Sequence, residues 1–241
     1  MLSLDKVFNA QTVLKNIVRE TKLVRAYGIA PDCELYLKPE NLQITGSFKV
    51  RGSAYKIAML TDEEKKRGVI ACSAGNHAQG VALAATKNGI KSLICLPDSA
   101  PISKVEATKG YGAEVCLVEG CYDDAYAKAL ELRDSEGYTF VHPFDDENVI
   151  AGQGTIALEI LNDLDNIDAI VVPIGGGGLI SGAIGAFLIE SISRIATIIL
   201  FIVLTAFITL SSFNITISKL IEWVRDLVDR FPRGVEYEDE E

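Results

Sequence analysis

Three short segments hold residues whose types and spacing can do chemistry. In ENLQITGSFKVRG, Glu40 to Gly52, Lys49 falls in the first turn of an expected helix, just after Ser47 and Phe48. The positive end of a helix dipole disfavours the charge on such a lysine and so favours a nucleophilic amine. That amine can condense with an aldehyde cofactor, though a solvated first-turn lysine is the plainer reading. In CSAGNHAQG, Cys72 to Gly80, the residues Ser73, Gly75 and Asn76 put small side chains and free backbone N–H groups at a helix start, which suits a carboxylate. Asn76 adds an amide donor for a phenolate oxygen, while plain helix capping would use the same residues. His77 has no acidic partner nearby in sequence and reads as structural. In PIGGGGLISG, Pro173 to Gly182, the run Gly175, Gly176, Gly177 and Gly178 lets the backbone approach closely and aim several N–H groups at one phosphate. The run lacks a Walker lysine, and no G-x-G-x-x-G/A register fits, so a single phosphate is favoured over a dinucleotide. A bare flexible turn is the alternative.

Positioning these segments requires strands that alternate with helices. Val13, Leu14, Ile17 and Val18 recur at helical spacing, and Cys33, Leu35 and Leu37 alternate as a strand that Pro39 stops. A helix is predicted from near Ser47, then a strand at Val69 to Cys72, a helix at Ala78 to Lys87 and a strand at Ser92 to Leu96. Further helices are predicted at Ser103 to Lys109, Asp123 to Arg133 and Thr155 to Leu164, with strands at Glu114 to Val118, Tyr138 to Val141 and Asp168 to Pro173. This alternation predicts βαβ units, a parallel sheet and helices on both faces.

In order, spacing and wording the three segments resemble the fold-type-II pyridoxal-phosphate-dependent enzymes, and most closely their threonine/serine dehydratase (threonine ammonia-lyase) branch, over about residues 5 to 185. The resemblance implies an α/β architecture of two lobes. Residues 1–70 and 149–190 would form the larger, cofactor-binding lobe, which is incomplete here, and 71–148 the smaller α/β lobe. Lys49 would hold pyridoxal 5'-phosphate and take the Cα proton, and Phe48 would pack on the cofactor ring. Asn76 would meet the phenolic oxygen, and Ser73, Ala74, Gly75 and Asn76 would grip the substrate carboxylate. Gly175, Gly176, Gly177, Gly178 and Leu179 would hold the phosphate. The implied reaction is β-elimination of threonine or serine to a 2-oxo acid and ammonia, within amino-acid metabolism such as isoleucine biosynthesis. Val50-Arg51 follows the lysine where the sulfhydrylase and threonine synthase branches typically place Asp-Arg. Ala74 stands where serine racemases carry a proton-donating serine, so elimination is expected over racemase-like activity. No metal ligand is expected in this chain. The family is usually dimeric or tetrameric, which implies a homo-oligomer.

Composition bounds the remaining readings. The net charge is −10 and no Lys/Arg cluster appears, which argues against nucleic acid as a partner. Five of the acids lie in the last seven residues. Five cysteines without a C-x-x-C pair fit a reducing cytoplasm. The family's pattern normally continues for over a hundred residues past the glycine loop, and residues 191–241 depart from it. They comprise an atypical apolar segment, an amphipathic helix and an acidic tail. Residues 195–217 are long enough to cross a bilayer, yet rich in the β-branched residues of buried strands. Three readings stay open: a compact working dehydratase, a membrane-tethered cofactor-binding relic without turnover, and a truncated gene product.

Overall fold

A computed structural model describes residues 3–30 and 32–191; the apolar segment, amphipathic helix and acidic tail expected over 192–241 lie outside the described residues. Helix α1 spans Leu4–Leu14, where the Ser3 side chain accepts from the Lys6 N–H and Val7, Ala10 and Leu14 form the buried stripe. The chain therefore leaves the helix earlier than the Val13–Val18 spacing predicts. The Ile17 and Val18 N–H groups both bond back to the Leu14 carbonyl as a closing turn. Strand β1 (Val24–Arg25) pairs antiparallel with β2 (Tyr36–Leu37), so only the end of the predicted Cys33–Leu37 strand forms. After a 3-10 turn at Glu40–Leu42 comes α2, Lys49–Ala58. Helix α3, Asp62–Arg67, was not predicted from periodicity; a Thr61–Glu64 capping box starts it and Gly68, at φ 88°, ends it.

The sheet follows. Strands β3 (Val69–Cys72), β4 (Ser92–Pro97), β5 (Glu114–Val118) and β6 (Thr139–Phe140) are all parallel, in the order β5-β4-β3-β6. Helices α4 (Asn76–Lys87), α5 (Ile102–Gly110) and α6 (Tyr122–Glu136) connect them. The strands alternate as a two-sided sheet must. Val69, Ala71, Ile94 and Leu96 pack into the core that includes α4's Ala78, Val81 and Ala85. Ile70, Cys72 and Cys95 pack against Ala125 and Ala129 of α6 on the opposite face.

Two expectations are corrected after β6. Helix α7 runs Glu147–Asp163, eight residues earlier than predicted, because the Asp146 carboxylate caps it from the Asn148 and Val149 N–H groups. Gly152 and Gly154, poor helix formers, sit inside it as contact points. No strand forms at Asp168 to Pro173. A strand needs a neighbour for its N–H and C=O groups, and no described segment lies beside this one; Val171 is 94% and Ile174 72% exposed. Helix α8, Gly178–Ser191, follows.

Candidate active site

Lys49 is the first residue of α2, and its N–H donates to the Ser47 hydroxyl at 3.3 Å. Its ε-amine donates to the Pro143 carbonyl at 2.7 Å and lies 5.5 Å from the centre of the Phe48 ring. Half-burial lowers the pKa of that amine from the ordinary lysine value. The start of α2 is fixed from behind by Arg51, whose side chain is fully buried. Its guanidinium forks onto Glu40 (2.9 and 2.8 Å) and onto Glu159 of α7 (2.6 and 2.9 Å). Lys38 adds a second cation on Glu159 at 2.7 Å. Burial is the largest single influence on Glu40 and opposes its charge, but the bonds and charge of Arg51, the Thr21 hydroxyl and the charge of Lys38 together outweigh it, and its pKa lies below the ordinary carboxylate value.

The second segment begins where β3 ends. The Ser73 hydroxyl accepts from the Gly75 N–H at 3.2 Å, and α4 starts at Asn76 with no side-chain cap on its first turn. Asn76 is exposed, and its side chain makes no hydrogen bond among the described residues. His77 is buried and its Nε2 lies 2.9 Å from the Val141 carbonyl, which makes that nitrogen the donor. Burial holds its pKa at about 4, so it is a neutral structural histidine, as its sequence context suggested. In the third segment Gly175 and Gly176 are exposed, Gly177 takes φ 85°, and Gly178 begins α8 with Leu179 next. A Cβ at Gly176 would stand 2.2 Å from the Phe144 ring, and one at Gly178 would stand 2.9 Å from the Phe144 carbonyl.

All three segments thus meet one stretch that the sequence did not single out. His77 bonds the Val141 carbonyl, Lys49 bonds the Pro143 carbonyl, and the glycine loop packs on Phe144. The only signal in the sequence is its place: it leaves the carboxyl end of a parallel strand, where α/β sheets gather their ligands. The helices that carry the segments are held by backbone contact. A Cβ at Gly80 of α4 would meet Val50 Cα at 3.1 Å, and one at Gly52 of α2 would meet the Val149 carbonyl at 2.7 Å. On α7, a Cβ at Gly152 would meet the Arg51 carbonyl at 2.6 Å, and on α8 one at Gly182 would meet the Gly154 nitrogen at 2.7 Å.

These residues fit pyridoxal phosphate in kind. They offer a half-buried amine of lowered basicity, an uncapped helix start with a free amide, and a glycine loop leading into a second helix start. Space is open around Gly75, Gly175 and Gly177, where an added Cβ would meet nothing within 4 Å. A cleft of about 370 Å³ lies elsewhere, lined by Leu14, Lys15, Glu20, Arg51 and Glu159 among others, and includes neither Lys49 nor Asn76 nor the glycine loop. With Arg51 already satisfied by two carboxylates, that cleft offers no comparable chemistry. No group of three or more potential metal ligands occurs among the described residues.

The chain is 53% identical over 184 residues to an L-threonine ammonia-lyase of Thermotoga maritima, covering 76% of this chain and 46% of that protein. It is 48% identical over 185 residues to the catabolic L-threonine dehydratase TdcB of Staphylococcus aureus, covering 76% of this chain and 54% of the relative. The solved structure of maize serine racemase superposes with a TM-score of 0.75 at 36% identity, over 78% of this chain and 57% of that one. The chain therefore spans about half the length of the curated relatives it matches. The family model described as pyridoxal-phosphate dependent enzyme matches residues 14–204, and it is to this family, of fold type II, that the chain belongs.

Proposed function

We propose that this chain holds pyridoxal phosphate through Lys49 and acts in the β-elimination of threonine or serine to a 2-oxo acid and ammonia. The observation that carries the reading is the convergence of the lysine, the Asn76 loop and the glycine loop on Val141–Phe144. When bound, the cofactor supplies an electron sink for the substrate's Cα. The Lys49 amine, its basicity lowered by half-burial, takes the Cα proton. Ser73, Ala74, Gly75 and Asn76 orient the substrate carboxylate at the start of α4, where backbone N–H groups and the helix dipole favour an anion. Asn76 would meet the phenolic oxygen, Phe48 would flank the ring, and Gly175, Gly176, Gly177, Gly178 and Leu179 would hold the phosphate. Ala74 brings no hydroxyl to reprotonate the opposite face, which favours elimination over racemisation.

The same reading divides the chain into a smaller lobe at 71–148, the span of most of the sheet, and a larger lobe from 1–70 and 149–190. It also implies a cytoplasmic setting and a homo-oligomer. No helix among the described residues is long and apolar enough to cross a membrane; a tether through 195–217 falls outside them. A second reading, cofactor binding without turnover, is favoured by the exposed stretch at Val171 and Ile174, which pairs with no strand among the described residues.

Absorption of the purified chain with added pyridoxal phosphate, followed by threonine, tests the proposal. The expected result is a visible band that Lys49→Ala abolishes, and 2-oxobutanoate on adding threonine. A band without product would support the second reading, and a band that survives Lys49→Ala would sink the assignment of the lysine.

A further inference from the structure

The loop after β6 contains a titratable side chain that the proposed chemistry does not use. His142 Nδ1 accepts from the Asp145 N–H at 2.7 Å and from the Phe144 N–H at 3.3 Å. Backbone N–H groups only donate, so Nδ1 is an acceptor and the neutral ring carries its proton on Nε2. The ring is also packed: it meets Phe144 edge-on at 4.7 Å between centroids and Phe140 at 6.2 Å. Both neighbours of this closed turn touch the site. Pro143 presents its carbonyl to the Lys49 amine, and Phe144 lies under Gly176 and Gly178.

We propose that His142 is a positioning residue for Lys49, holding through the turn it caps both the Pro143 carbonyl on the ε-amine and the Phe144 ring on the glycine loop. The inference rests on the reading of Lys49 as the cofactor lysine, but its geometry needs no cofactor. The charged groups near the imidazole are Lys49, which disfavours a second proton, and Asp145 and Asp146, which favour one. Burial is the larger influence and lowers the pKa of the ring, so the acceptor form persists at neutral pH.

Two amides separate this role from mere bulk. In His142→Asn the side-chain oxygen can take the place of Nδ1 and accept the same two N–H groups, as in an Asx turn. In His142→Gln the amide reaches only the Nε2 position and leaves them without an acceptor. The assay is acetic anhydride labelling of the full chain without cofactor across pH, read on the Lys49 peptide by mass spectrometry against an Nα-acetyl-lysine standard. Wild type and His142→Asn should share one midpoint, and His142→Gln should move away from it, downward on losing the Pro143 acceptor of the charged amine and upward where the released amine gains water; His142→Ala replaces the Gln variant if that variant does not fold. Equal midpoints in folded Asn and Gln (or Ala) variants, or an Asn variant that shifts, would overturn the proposal. Loss of the visible band in the cofactor test would leave this result standing, so the two readings fail separately.

Discussion

Gly152→Ala puts the backbone-contact account of the site to a quantitative test, because Gly152 lies on α7 and in none of the three motifs. The new Cβ would stand 2.6 Å from the Arg51 carbonyl oxygen and 2.7 Å from Gly52 Cα. Comfortable carbon contacts lie at about 3.5–4.0 Å, so α2 and α7 must part by roughly 1 Å at this point. Both obstructing atoms are main chain of α2, and no side chain can swing aside to relieve them. Overpacking of this kind costs about 1–3 kcal/mol. Alanine in a helix interior returns about 1 kcal/mol over glycine. The net loss is therefore about 0–2 kcal/mol, which lowers Tm by at most roughly 8 °C for an ordered region of this size. The functional effect should be larger than that. Lys49 begins the displaced helix, and a misplacement of about 1 Å in a reacting group can cost about 100-fold. Urea melts followed by circular dichroism, with pyridoxal phosphate titrated by its visible band, would read both quantities. Gly110→Ala is the control, since its Cβ would meet nothing within 4 Å at the end of α5. A Gly152→Ala chain with the melting point and cofactor affinity of wild type would refute the account. So would a Gly110→Ala chain that lost as much.

Three further outcomes follow from the same structure. The folded pKa of His77 is about 4, below its ordinary 6.5, so the folded state binds fewer protons between those values. Stability is fully present above pH 6.5 and falls by about 3 kcal/mol as pH drops to 4, and His77→Gln should remove most of that slope in urea midpoints measured at pH 7 and 4.5. Glu159→Ala leaves the fully buried Arg51 with one carboxylate and should cost about 3–5 kcal/mol in urea melts, whereas Lys22→Ala, at an exposed pair, should cost under about 1 kcal/mol. Burial pushes the Cys72 and Cys95 thiols up to about 11 and about 12, so maleimide should label exposed Cys33 and Cys121 in the native chain and reach Cys72 and Cys95 only in denaturant.

What the sequence disclosed follows from the range of the forces involved. Strands β3, β4 and β5 lie within a residue of their predicted bounds, because their apolar runs are bracketed by turns; β3 and β4 are buried on both faces, whereas β5 is a half-exposed edge strand. The helix starts carrying Lys49 and Asn76 were also legible to within two residues from the apolar spacing that follows them, although neither N-cap side chain makes a capping bond. The start of α7 was missed because Gly152 and Gly154 look like a break until α2 and α8 are seen pressed against them. Asp168 to Pro173 has every local mark of a strand, yet pairing is a property of two segments and no described partner lies beside it. The role of Val141–Phe144 was hidden for a related reason. Its carbonyls at 141 and 143 carry the contacts to His77 and Lys49, and a backbone carbonyl leaves no trace in residue type.

The glycines explain how the three segments are held against one another among the described residues. Gly52, Gly80 and Gly182 close the three motifs, each lying about one helical turn past Lys49, Asn76 and Gly178. At each of these places main chain of a neighbouring helix passes within 3.2 Å of where a Cβ would be, linking α4 to α2, α2 to α7, and α7 to α8. Side-chain packing tolerates repacking, whereas contacts between main chains leave no rotamer to adjust. The relative placement of amine, amide and glycine loop is therefore set by helix crossings that all lie between residues 49 and 191, and none of them uses the stretch at 168–173, which pairs with no strand among the described residues. On this arrangement, perturbing that stretch should alter stability and turnover before it alters the placement of Lys49 against Pro143.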